Sequence, residues 1–191
     1  MCIRDRRASH STKSTRERPT KRSSKKSRST AATATAVRSR TATDESLRFY
    51  LDASDPLVDA PSIGARTAEH FHKLGAMTVG DFIKLKPSST ASKIDNRRIN
   101  AKTIRQWQAQ AVMACRIPQI RGHDAQILVA CDVTDPTMLA RMDPEELWAR
   151  VKPFSKTSEG KRIIRNGKAP NLAEVRDWVM WAKASRTMRA A

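Results

Sequence analysis

Glycine, cysteine and aromatic residues are all scarce in this chain, and each scarcity removes a class of function. Its 191 residues include only six glycines, with no Gly-x-x-x-x-Gly-Lys phosphate loop and no Gly-x-Ser-x-Gly nucleophile elbow. The three cysteines, Cys2, Cys115 and Cys131, form no even framework and no C-x-x-C pair, which argues against disulfide scaffolds and zinc ribbons. Free buried thiols are the plain reading. No segment approaches the roughly 18 consecutive apolar residues of a membrane helix. An apolar signal-peptide core is also missing from the N-terminus, so the expected location is cytoplasmic, and nucleoid-associated if the protein binds DNA.

Positive charge is abundant: 37 Lys and Arg against 19 Asp and Glu give a net charge of +18. The excess is unevenly spread. Residues 1–40 carry 13 basic and 2 acidic residues, 14 Ser or Thr and no aromatic residue. Such a segment cannot bury enough apolar surface to offset chain entropy, so a disordered basic tail is expected there. Its densest run, Lys21-Arg22-Ser23-Ser24-Lys25-Lys26-Ser27-Arg28, suits loose Coulomb attachment to a polyanion, or a solvated linker. Residues 41–185 are about one domain's worth of chain, and a frayed end is expected over 186–191. Met1-Cys2-Ile3-Arg4-Asp5-Arg6 resembles the translation of a sequencing-adapter end. On that reading residues 1–6 are not biological and the natural chain continues upstream.

An internal repeat dominates the rest. At a constant offset of 57, Pro61 matches Pro118, Ile63 matches Ile120, Ala68 matches Ala125, Phe71 matches Leu128 and Phe82 matches Leu139. Ile104-Arg105-Gln106-Trp107 recurs as Val175-Arg176-Asp177-Trp178, now 71 residues apart, so the second copy holds about 14 extra residues, expected within 155–170. The copies span about 47–115 and 116–184. Both read as helical. Ile104, Trp107, Ala111 and Ala114 keep helical spacing, as do Val175, Trp178, Val179 and Ala182. Asp135-Pro136, Asp143-Pro144, Thr78-x-x-Asp81 and Asn171-x-x-Glu174 are helix starts, and Gly75 suits a helix end. With no alternating strand run, the fold expected is all-α. Trp107, Trp148, Trp178 and Trp181 are read as core residues rather than base-stacking platforms.

The segment Pro61-Ser62-Ile63-Gly64-Ala65-Arg66-Thr67-Ala68 precedes a helix expected to run to Leu74, and it resembles a helix–hairpin–helix unit. A glycine brings the backbone close to a phosphate, and the unpaired N–H groups of the following helix start face it. The candidate nucleic-acid contacts are Ser62, Ile63, Gly64, Ala65, Arg66 and Thr67, with Arg66 standing where such motifs usually carry lysine. The second copy, Ile117-Pro118-Gln119-Ile120-Arg121-Gly122-His123-Asp124-Ala125, is a poorer match. It offers Arg121, Gly122 and His123, while Asp124 would repel a phosphate. Residues from about Arg48 to Ala184 resemble the bacterial family called domain of unknown function 4332. The matching stretches are Arg48-Phe49-Tyr50-Leu51, Pro61-Ser62-Ile63-Gly64, Trp107-Gln108-Ala109-Gln110-Ala111, and Ile117-Pro118 with Arg121-Gly122-His123-Asp124-Ala125-Gln126. The resemblance implies tandem helix–hairpin–helix units, similar to the small helical domain of repair polymerases, and a weak DNA-binding tendency without an established activity.

Other features point less firmly. His70 and His72 are two apart and miss the i, i+4 spacing of a helical ligand pair. Arg97-Arg98-Ile99 and Lys161-Arg162-Ile163-Ile164-Arg165 precede the Trp helices as phosphate-facing clusters or as solvated charge. A glycosylase of this hairpin type would need a Gly-Pro-Asp ending, whereas Asp55-Pro56 and Asp143-Pro144 run the other way. The expectation is therefore a non-catalytic module with no cofactor, metal, membrane or small-molecule substrate. It binds nucleic acid, DNA through the resemblance, weakly and without sequence preference. The alternative is a protein-interaction or scaffold module.

Overall fold

The computed structural model describes residues 47–165 and 167–188, so the basic tail and residues 189–191 lie outside the described residues. Apart from one isolated bridge between Pro56 and Thr78, these residues form no strand. A single 3-10 turn, Leu57–Asp59, leads into α1 (Ala65–His72), α2 (Val79–Lys84), α3 (Pro87–Ala91) and α4 (Ala101–Arg116). There follow α5 (Gly122–Ala130), α6 (Pro136–Arg141), α7 (Pro144–Lys156), α8 (Ser158–Ile164) and α9 (Leu172–Lys183). None of these helices is long and apolar enough to cross a membrane.

The element boundaries recur at the spacings of the residue pattern. α1 and α5 start 57 residues apart, α2 and α6 coincide at both ends at that offset, and so do the starts of α3 and α7. α4 and α9 start 71 apart. Packing repeats as well: α2 and α3 lie against α4 as α6 and α7 lie against α9, while α4 against α5 joins the copies. Even the uncommon backbone conformations match. Ser62 (φ 66°) pairs with Gln119 (φ 61°), and Gly75 (φ 85°) with Asp132 (φ 64°). These left-handed turns are costly for residues with a Cβ, yet both copies keep them.

Side-chain chemistry at the helix starts explains where the helices begin. Thr78 Oγ1 accepts from the Asp81 amide at 3.1 Å while the Asp81 carboxylate accepts from the Thr78 amide at 3.0 Å, a closed capping box. Asn100, Asp135, Asp143 and Thr157 cap α4, α6, α7 and α8 in the same sense. Asn171 accepts from the Glu174 amide at 3.0 Å, but the expected box at α9 does not close, because the Glu174 carboxylate turns to Arg121 instead. α1 ends at His72, two residues short of Leu74, where Gly75 takes its left-handed turn.

One apolar core runs through both copies. Phe71, Phe82 and Ile104 of the first copy, and Leu128, Leu139 and Trp178 of the second, are wholly buried. Phe71 meets Phe82 edge-on at 4.9 Å and Trp107 at 6.3 Å. Of the four tryptophans only Trp178 is enclosed; Trp107, Trp148 and Trp181 are half-buried, with one side on the core. Cys115 and Cys131 are free and buried. Burial pushes their thiols up to about 12 and about 11, so both stay protonated near neutrality.

Two expectations need correction. The extra residues of the second copy are not confined to 155–170. α7 continues through Lys156, two turns beyond the reach of α3, and α8 adds a further helix. α8 folds back so tightly that a Cβ on Gly160 would sit 2.2 Å from the Phe154 carbonyl oxygen. Arg186, expected in a frayed end, is instead a clasp. Its side chain donates to the carbonyls of Cys115 (2.8 Å) and Leu51 (3.2 Å) and to Asp52 Oδ2 (3.0 Å), with its guanidinium 3.8 Å from the Phe49 ring centre.

Candidate nucleic-acid interface

The first hairpin is held from below and open above. Pro61 and Ile63 are buried, so Ile63 anchors the turn in the core and offers no side chain to a ligand. Between them Ser62 points outward on its left-handed backbone, and its hydroxyl donates to Gln110 Oε1 at 2.7 Å. Gly64 is the N-cap of α1 with an extended backbone, φ −94° and ψ 173°. That conformation does not demand glycine, and nothing lies within 4 Å of where its Cβ would be. The missing side chain therefore leaves open space directly over the helix start.

The amides there are unoccupied. Thr67 and Ala68 donate to the Gly64 carbonyl at 2.9 Å, but the N–H groups of Gly64, Ala65 and Arg66 meet no acceptor among the described residues. They lie at the N-terminus of α1, where the helix dipole favours negative charge. Gly64, Ala65 and Arg66 are exposed, Thr67 is half-buried, and Arg66 has no carboxylate within ion-pair distance among the described residues.

The second hairpin has the same backbone and the opposite electrostatics. Its left-handed residue, Gln119, donates its amide to the Arg48 carbonyl at 2.7 Å. At the start of α5 the wholly buried Asp124 accepts from the Arg121 amide and from Arg121 Nε, each at 3.0 Å. Arg121 also donates to Glu174 at 2.6 Å, tying the start of α5 to the start of α9. Burial works against the charge on Arg121, but the hydrogen bond and charge of Asp124, with those of Glu174, more than offset it and raise its pKa. His123 Nε2 stands 3.2 Å from Asp124 Oδ1 without the alignment of a hydrogen bond, and that buried oxygen has no donor. Arg121 and His123 thus face the protein's own carboxylates, and Gly122 packs on Pro61, where a Cβ would lie 3.6 Å from its ring. The two hairpins adjoin through that contact.

The remaining sequence candidates are scattered. Arg97 and Arg98 are exposed in the turn before α4, whereas Lys161 and Arg162 sit on α8, so the two basic runs are not equivalent places. Among the described residues no group of three His, Cys, Asp or Glu side chains is placed to hold a metal. Sequence reading missed a polar cleft beside the first hairpin, where Gln106, Gln110 and Gln126 meet Trp107 and α8. Its only trace in the sequence was the unexplained length of the second copy.

The model of the family described as domain of unknown function (DUF4332) matches residues 61–185, well over half of the chain. The chain belongs to this family. The match opens on Pro61 of the first hairpin and ends next to Arg186, so it covers α1 to α9 and both hairpins. No curated protein and no solved structure matches the chain.

Proposed function

We propose that this member of the family binds nucleic acid, DNA in preference, through the phosphate backbone and without reading bases. The observation that carries the reading is the start of α1: among the described residues the three successive amides Gly64 to Arg66 have no acceptor, the exposed Arg66 has no ion-pair partner, and nothing lies within 4 Å of where a Cβ on Gly64 would be. A phosphate satisfies all of these groups together. Residues 1–40, at net +11, add sequence-independent attraction.

The test is a salt series of duplex-DNA binding by residues 42–191, whose described residues form one compact unit, against the full chain. Each phosphate neutralised contributes roughly −0.9 to the log–log slope. The unit alone retains measurable affinity, and Arg66→Glu weakens it at least about tenfold more than Arg141→Glu, a difference of roughly 1.4 kcal/mol. Equal losses refute the hairpin contact.

A second reading, a protein-docking module, is favoured by a different observation. The second hairpin is closed on itself by Asp124 and Glu174, while Met77, Met138 and Met180 stand exposed. Binding that disappears entirely with the tail supports this reading over the first.

A further inference from the structure

The helix that distinguishes the second copy, α8, packs against α5. Together with α4 and Ser62 it encloses a cleft of about 370 Å³, within the size range of small-ligand sites. Three kinds of group line it. Gln106, Gln110 and Gln126 are carboxamide residues of α4 and α5, Trp107 is a half-buried aromatic residue, and Arg162 and Arg165 are cationic residues. Val129, Ala130 and Ile163 supply apolar wall.

Gln110 is the informative member. It is only 8% exposed and lines the cleft, its Oε1 accepts from Ser62, and its Nε2 has no acceptor among the described residues. The bond from Ser62 fixes which end of the carboxamide accepts and leaves its N–H groups available to a ligand. Gln106 and Gln126 also make no side-chain hydrogen bond to the described residues. Arg165 holds a backbone rarely adopted by L residues, φ 53° and ψ −117°, at the rim of the cleft. Such outliers collect at ligand sites. Glu159 lies 3.8 Å from Arg162, while Arg165 has no carboxylate within ion-pair distance among the described residues.

We propose that this cleft binds a nucleoside 5′-monophosphate. The base lies against Trp107 with its mixed donor and acceptor edge on the glutamine amides, and the phosphate is held by Arg162 and Arg165. A simple carboxylate or free phosphate would satisfy the arginines and leave three amides and an indole face unmatched. The nucleotide is either free or an unstacked unit of a bound strand. Only the strand source rests on the nucleic-acid reading above.

The test titrates the full, isotope-labelled chain with each of the four deoxynucleoside 5′-monophosphates and with inorganic phosphate. The readout is the indole N–H resonance of Trp107, assigned from the Trp107→Phe spectrum. Saturable binding is expected with a dissociation constant on the order of 10–500 μM, with phosphate at least tenfold weaker. Gln110→Leu and Arg165→Gln each weaken nucleotide binding at least tenfold, and Arg165→Gln, at an exposed position, keeps the test valid if Gln110→Leu misfolds. A single strand of about eight nucleotides that displaces the monophosphate assigns the cleft to a strand unit. A strand that fails to displace it assigns the cleft to free nucleotide. Failure of all four monophosphates to saturate below roughly 10 mM, phosphate binding as tightly as nucleotide, or an unmoved Trp107 resonance overturns the proposal.

Discussion

Two substitutions to glycine, at equivalent places in the two copies, are expected to act differently. Ser62 and Gln119 hold the same left-handed backbone, φ 66° and 61°. A residue with a Cβ gives up about 1–2 kcal/mol there, and glycine returns about 0.5–1 of that through its freer unfolded state. Gln119 makes no side-chain hydrogen bond to the described residues, and its bond to Arg48 uses the main chain and survives substitution. Gln119→Gly should therefore stabilise the protein by about 0.5–1 kcal/mol, or roughly 1–4 °C in Tm. Ser62→Gly makes the same conformational gain but loses the 2.7 Å bond to the nine-tenths-buried Gln110, about 1 kcal/mol, and should come out near neutral. Ser62→Ala loses the bond without the relief and should destabilise by about 1 kcal/mol. Urea unfolding of the three variants followed by circular dichroism separates the two contributions. If Ser62→Gly stabilises as much as Gln119→Gly, the Ser62–Gln110 bond carries nothing; if Gln119→Gly destabilises, the left-handed turn is not native.

The remaining structural expectations concern the edges of the fold. Arg186→Ala removes two hydrogen bonds to carbonyls and the stacking on Phe49, a loss of about 2–3 kcal/mol in urea unfolding. The part-exposed Asp52 pair adds little to that figure, and a loss under about 0.5 kcal/mol would show that the clasp is dispensable. The Asp81 carboxyl is held below its ordinary 3.8 chiefly by its hydrogen bonds to Thr78. A depressed folded pKa means that its contribution is complete above pH 3.8 and is lost as the pH falls through the folded value. The Tm gap between the parent and Asp81→Asn should therefore be full at neutral pH and close as the pH falls through the folded value, and a gap that is unchanged by acid counts against the capping box.

What could be read from the sequence follows from how local each signal is. The caps at Thr78, Asp135 and Asp143 are set by residues two or three apart, and they form as expected. The apolar repeat placed Phe71 with Leu128 and Phe82 with Leu139 because burial is imposed on each copy by its own helices. Glu174 shows where this reasoning stops. Its spacing from Asn171 is that of a capping box, but Arg121, 53 residues away, competes for the carboxylate and wins. Arg186 was misread for the same reason, since all of its partners lie 70 or more residues away. Trp107 is core on one side and cleft wall on the other, a division that periodicity alone cannot express because it depends on where α8 folds back.

One pair of equivalent residues decides how the two hairpins differ. Thr67 and Asp124 occupy the third position of α1 and α5. In the second copy the carboxylate reaches back to the Arg121 amide and fills the anion position from within. In the first, Thr67 leaves the equivalent Gly64 amide without an acceptor among the described residues. Thr67→Asp should therefore close the first hairpin. A carboxylate in the first turn of α1 stabilises the helix by about 0.3–1 kcal/mol while it competes with any external phosphate. The expected result is a variant that unfolds at higher urea, binds duplex DNA at least tenfold more weakly, and has a log–log salt slope lower by roughly one phosphate. Thr67→Asn, which can accept from the same amide without a full charge, should stabilise less and weaken binding less. A Thr67→Asp protein that is more stable yet binds DNA like the parent would show that the capped amides make no phosphate contact, and would shift the weight of the case to protein docking.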